Sequence, residues 1–192
     1  MAELINAGAN VNAKDKYLLS ALHHAAMRGN LVATKRLLET RGIEKEPRDV
    51  QDSTPLHLAA TYNHYHVAKL LLHHGQANPR CKDSDLRTPL QEACLEGNVE
   101  IAELLLREGE KRFGQGYVKE MLQDQDDDGA TPLLLAVGSG KTAIVELLLK
   151  RKANVNWPNK ELVFPMHSAA RTGDLMTLKL LIEVNIVGCN IQ

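Results

Sequence analysis

Aromatic residues are scarce in this chain of 192 residues: one Trp, four Tyr and two Phe make up 4%. So few rings exclude the stacking platforms that hold single-stranded nucleic acids. They also demand a core of Leu, Ala, Val and Ile, which suits short, closely packed helices. An excess of one charge sign is missing too. Lys plus Arg number 23 against 24 Asp plus Glu, a formal charge of −1, and this argues against a surface built to hold phosphate backbones. Cysteine occurs three times, at Cys81, Cys94 and Cys189, with no close spacing. Neither a disulfide framework nor a four-thiolate zinc site is expected, and a reducing compartment is the better fit. No apolar run approaches the roughly 20 residues that span a bilayer. The opening MAELINAGAN lacks the basic and apolar regions of a signal peptide. The longest notable apolar run, Leu133 to Val137, sits between Pro132 and Gly138 and reads as a buried helical turn. With 44% hydrophobic and 24% charged residues, the composition is that of a soluble globular chain.

What is present is repetition. Five segments share one shape: SALHHAA from Ser20, TPLHLAA from Thr54, TPLQEAC from Thr88, TPLLLAV from Thr131 and FPMHSAA from Phe164. Their starts lie 34, 34, 43 and 33 residues apart. The apolar pairs Leu37-Leu38, Leu71-Leu72, Leu105-Leu106, Leu148-Leu149 and Leu181-Ile182 keep the same intervals, as do Asp15, Asp49, Asp83, Asp126 and Asn159. The agreement locates the extra residues of the long interval after Leu106 and before Asp126, within 107–125. Each unit predicts a helix pair. Thr caps the first helix, and Pro fits its first turn, where a missing N–H costs nothing. A small pair such as Ala59-Ala60 admits a neighbouring helix, and a Gly or Asn turn leads to a second helix with apolar residues such as Val67, Leu70 and Leu71. One such pair cannot bury its own apolar faces, so stability must come from stacking on like neighbours.

With these periods, the TPLH-like helix starts and the L-L-x-x-G-A-x-x-N segments (Leu4 to Asn10, Leu71 to Asn78, Leu148 to Asn154), the chain resembles ankyrin repeats along essentially its whole length. The resemblance implies an all-α solenoid of stacked antiparallel helix pairs. Its turns would project as fingers beside a concave face that binds other proteins. Residues 1–192 then form a single array, with repeats starting near 15, 49, 83, 126 and 159 and a partial repeat at 1–14. The fingers depart from the family pattern. Three residues after the turn Asp the family carries Gly in a left-handed conformation, and Gly129 fits. Leu18, Asp52, Leu86 and Leu162 hold the other four positions. Those fingers are either reshaped or strained by about 1 kcal/mol each. The leucines either pack against neighbouring fingers or form an exposed apolar edge with Tyr17, Leu19 and Val163 that awaits a partner. The candidate protein-binding residues are therefore Tyr17, Leu18, Leu19, Val50, Gln51, Asp85, Leu86, Leu162 and Val163. Both ends read as cut within a repeat. Leu178, Leu181, Ile182, Ile186, Val187 and Ile191 leave an uncapped apolar end, as expected of a piece of a longer array.

Several signals of chemistry fail on inspection. GSGKT at Gly138 to Thr142 matches the end of a phosphate-binding loop, but the first Gly of that motif would fall at Leu135. Asp124, Asp126, Asp128 and Gly129 spell half of a calcium loop, yet its bidentate Glu would again be Leu135. His64, His66, His73 and His74 fall in one repeat, with no Cys or carboxylate to complete a zinc tetrahedron. His23, His57 and His167 occupy the motif's own His position and are expected to be hydrogen-bonded within the stack. Cys94 replaces a small Ala and reads as buried. Cys81, beside Arg80 and Lys82, is the one thiol whose neighbours favour thiolate. No catalytic constellation, metal site or cofactor is expected.

The interruption EGEKRFGQGYVKEMLQDQDDDGATPLLLAV gives Tyr117, Val118, Met121 and Leu122 helical spacing, which predicts one short extra helix. This layout, and NWPNKELVFPMHSAARTGDLMTLKLLI after it, resembles the cytoplasmic ankyrin array of the ankyrin-type TRP cation channels, the TRPA group. The resemblance implies a non-enzymatic scaffold on the cytoplasmic side of a plasma-membrane channel. Its partners would be proteins, either neighbouring channel domains or subunits or a cytosolic ligand, with no nucleic acid and no direct membrane insertion by this segment. A soluble cytosolic adaptor is the alternative that the same repeats support.

Overall fold

Helices of seven to nine residues are too short to persist alone in water, so everything in this chain hangs on how they stack. The computed structural model describes residues 10–189, with side chains through residue 184. Most of the partial repeat expected at 1–14, and the side chains of Ile186, Val187, Cys189 and Ile191, lie outside the described residues. Eleven helices follow one another among the described residues. They are α1 (Ala21–Met27), α2 (Leu31–Leu38), α3 (Pro55–Thr61), α4 (Tyr65–His73), α5 (Pro89–Glu96), α6 (Val99–Phe113), α7 (Gln115–Met121), α8 (Pro132–Gly138), α9 (Thr142–Lys150), α10 (Pro165–Thr172) and α11 (Leu175–Cys189).

The first helices α1, α3, α5, α8 and α10 stack in one row, and α2, α4, α6, α9 and α11 in a second. The fold is an all-α solenoid. Leu22, Leu56, Leu90 and Leu133 are buried along the first row, with Ala25-Ala26, Ala59-Ala60, Ala93-Cys94 and Ala136-Val137 at the close contacts. The second row contributes Leu37, Leu71, Leu105 and Leu148, likewise buried. Leu133 to Val137 lies in α8 as the sequence suggested, with Leu133, Leu134, Ala136 and Val137 buried. Between the helices of each pair, Gly29, Asn63, Gly97, Gly140 and Gly173 all turn the chain with positive φ.

The insertion lengthens the second helix before it turns. α6 runs on through EGEKRF to Phe113, helped by a Glu108–Arg112 pair one turn apart at 3.9 Å. Gly114, at φ 84, ends it, and α7 folds back as the predicted extra helix. The return is tight at Gly109. A Cβ there would stand 2.6 Å from Met121 Sδ and 3.3 Å from the Tyr117 ring, so α7 can lie on α6 only because Gly109 has no side chain.

The first four repeats are joined in succession by a buried side chain at the third position of the first helix, whereas the fifth repeat's His167 is exposed and accepts from the Phe164 N–H at 3.4 Å. His23 Nδ1 accepts from the Ser20 N–H at 3.1 Å, and its Nε2–H donates to the Ser53 carbonyl of the next finger at 3.0 Å. His57 repeats this with Thr54 N–H at 3.1 Å and the Arg87 carbonyl at 3.1 Å. Gln91 does the same with its amide, accepting from Thr88 N–H at 3.0 Å and donating to Ala130 O at 2.9 Å. The fourth position is Leu134, which has no polar atom to offer. The rung to the Val163 carbonyl is therefore absent. Leu134→His should restore it and raise the free energy of unfolding by about 1 kcal/mol, measured by urea denaturation of both proteins side by side.

A candidate protein-interaction edge on the fingers

Each finger is wound around one acidic or amide side chain. Asp15 Oδ1 accepts from the Tyr17 and Leu19 N–H groups at 2.9 and 3.0 Å. Asp49 holds Gln51 and Ser53 (both 2.9 Å), and Asp83 holds Asp85 (3.0 Å) and Arg87 (2.9 Å). Asp126 holds Asp128 (3.1 Å) and Ala130 (2.7 Å), and Asn159 holds Glu161 (3.1 Å) and Val163 (2.8 Å). A carboxylate that collects two N–H groups forces the chain to reverse. The residue three places after it must then adopt positive φ to close the turn. Leu18, Asp52, Leu86 and Leu162 do so, at φ 58, 55, 57 and 60. The fingers keep the family's shape and carry the strain rather than being reshaped.

The leucines are not packed away. Leu18 is 46% exposed, Leu86 45% and Leu162 70%. The side chains of these three leucines stand open to solvent, which the edge reading requires of them. The tips are tied to one another by backbone bonds: Val50 N–H to Tyr17 O (3.1 Å), Ser84 to Gln51 (2.9 Å), Asp127 to Asp85 (2.9 Å) and Lys160 to Asp128 (3.0 Å). Seven of the nine candidate residues thus sit on the tips of four of the five bonded fingers. Tyr17 and Val50 also present exposed side chains, while Leu19 and Val163 are half-buried at the finger bases.

Cys81 requires a correction. Arg80 and Lys82 do not activate it, because its side chain is buried at 5% exposure, and that burial pushes the thiol up to about 11. Arg80 is turned away into the insertion. Its guanidinium grips Asp124 at 2.7 and 2.8 Å, pairs with Glu120 and lies 5.3 Å over the Tyr117 ring. Lys82 donates to the Gln125 carbonyl at 2.8 Å. Cys94 is buried, as expected. The other chemical signals are absorbed by the stack. His64 donates to Met27 O at 3.0 Å, and His73 stands 3.3 Å from Glu108. Asp124 and Asp126 are occupied by Arg80 and by finger N–H groups. The segment Gly138 to Thr142 is the ordinary helix–turn–helix of its repeat.

Two features were not anticipated. One is Gln91 acting as a third bridging side chain, although its place in TPLQEAC is the motif's His position. The other is Arg87, which stands 3.4 Å from Asp85, 3.9 Å from Glu92 and 3.7 Å from Asp126, tying the third finger to its own helix and to the fourth finger. Burial pushes the carboxyls of Asp83, Glu92 and Asp126 upward.

A helix-pair solenoid with bonded fingers of this kind defines a repeat-protein scaffold. A profile described as "Ankyrin repeats (3 copies)" matches residues 1–83, 44–114, 75–156 and 113–192, and the chain belongs to the ankyrin-repeat family. Among individual proteins, it is similar to "Transient receptor potential cation channel subfamily A member 1" of Homo sapiens. The match is 34% identical over 73 residues, 38% of this chain and 6% of that protein.

The bridging His57 ties stability to pH. Burial pushes its imidazole down to about 4, whereas in the unfolded chain it protonates near 6.5. Between those values the unfolded state binds the additional proton. The contribution of His57 is therefore fully present above about pH 6.5 and is lost as pH falls toward 4, by at most about 3 kcal/mol. His57→Gln should keep the bridge, as Gln91 does, and flatten the pH dependence relative to the parent. Urea titrations between pH 4 and 7 check it.

Proposed function

We propose that this chain is part of the cytoplasmic ankyrin array of a TRPA-like cation channel. There it serves as a non-enzymatic scaffold whose finger edge contacts neighbouring domains, subunits or a cytosolic protein, and so couples those contacts to gating. The observation that carries the scaffold reading is the row of exposed leucines held in left-handed backbone at Leu18, Leu86 and Leu162. Such residues cost stability, and strain of this kind concentrates where a surface has work beyond folding. The likeness of 73 residues to the human TRP channel supports the channel context. Among the described residues no helix is long and apolar enough to cross a membrane, so any spans belong to other parts of the parent chain.

Two measurements test this. The parent transcript should encode six apolar stretches of about 20 residues beyond the array; their absence would transfer the scaffold to a soluble adaptor. In the parent protein, Leu18→Ser with Leu86→Ser and Leu162→Ser should alter gating or partner cross-linking while the isolated chain stays folded. Separately, Leu162→Gly should raise stability by about 0.5–1 kcal/mol by relieving the left-handed strain, read from the shift in thermal midpoint.

A further inference from the structure

The insertion does more than lengthen a repeat. Folded back as α7, it walls a cleft of about 730 Å³ together with the end of α9, within the range of ligand-binding clefts. Lys119 of α7 and Lys150, Arg151 and Lys152 at the end of α9 line it, against a single acid, Glu110. Glu110 stands 3.8 Å from Arg151, which also reaches Glu103 at 3.6 Å. No ion pair among the described residues engages Lys119, Lys150 or Lys152. In a chain of net charge −1, three lysines without an ion-pair partner concentrate positive charge on this cleft. A second observation points the same way. Lys152 holds φ 64, a strained conformation for a lysine, and it keeps a cation on the rim where a glycine would end the helix without cost.

From this we infer that the cleft docks a short acidic peptide segment of a protein partner. The cations are divided between two elements, with the apolar Val118 and Leu122 and three side-chain amides among them. A phosphate-centred ligand calls for donors that converge on one point. A nucleic acid calls for stacking rings and a longer basic track. Carboxylates spaced along an extended chain match charges on two walls, and side-chain amides can hydrogen-bond its backbone. The inference deepens the scaffold reading by naming the chemistry of a partner at a face separate from the finger edge.

The test is selection of a displayed library of random short peptides on the folded chain, followed by fluorescence anisotropy with the enriched sequences. Enriched peptides should be rich in Asp and Glu and should bind more weakly as salt rises. Lys119→Glu with Lys152→Glu should weaken them at least about tenfold, and Lys119→Gln with Lys152→Gln should weaken them less. Lys69→Glu on α4 should leave them unchanged. Circular dichroism melts establish that each variant is folded, and the glutamine pair stands in should the glutamate pair fail to fold. Enrichment of neutral peptides, unchanged binding by the folded pair, or displacement by equimolar sodium pyrophosphate or single-stranded oligonucleotide would each overturn the inference. The serine variants of Leu18, Leu86 and Leu162 should retain acidic-peptide binding, so failure at one face is distinguishable from failure at the other.

Discussion

Stacking of the first four repeats depends on one buried side chain in each of the first three, His23, His57 and Gln91, that must accept one hydrogen bond and donate another. At the third position of a first helix, it accepts from the orphan N–H at the helix start and donates a hydrogen bond to the carbonyl closing the next finger. The N–H finds its acceptor in that side chain, while the carbonyl already closes its own finger, as Ser53 O does with the Asp49 N–H, and gains a second hydrogen bond. Histidine meets the requirement only when neutral, with its proton on Nε2; protonation would turn Nδ1 from acceptor to donor and bring charge into the core. Glutamine meets it without titrating. Leucine cannot meet it at all, and the fourth and fifth repeats are held instead by apolar packing, by the backbone bond from Lys160 to Asp128 and by side-chain bonds such as Thr142 to Asp174 at 2.8 Å.

What was legible in the amino-acid order follows from how local each constraint is. Thr-Pro starts, Gly or Asn turns and the finger Asp act within four or five residues, so helix pairs and fingers could be placed without coordinates. The extra helix was legible from Tyr117, Val118, Met121 and Leu122. The run of α6 on to Phe113 was not anticipated, because the role of Gly109 as a packing site exists only once Met121 lies across it. Cys81 was misread for a similar reason. Its neighbours in sequence are basic, but in space it is covered, and Arg80 has swung toward Asp124, 44 residues on. The basic cleft was invisible for the same cause, since its walls come from α7 and the end of α9.

The fingers illustrate a choice between comfort and display. Gly129 shows that this chain can use glycine at the left-handed position, yet three of the four remaining fingers place leucine there with its side chain in water. Neither burial nor hydrogen bonding explains those leucines. Their backbone is over-determined by the carboxylate or amide oxygen below and the neighbouring finger beside it, and this lets the strain persist.

The insertion has a consequence for how such an array can grow. The bridge from Gln91 spans 39 positions where those from His23 and His57 span 30, and still meets its carbonyl. The bridging side chains and the finger-to-finger backbone bonds are made at the first helix or at the finger, so length added between a second helix and the following finger leaves them in phase. That junction works as a splice point. Evolution can graft a helix there, and with it a new surface, without renegotiating the contacts that keep the rest of the array folded.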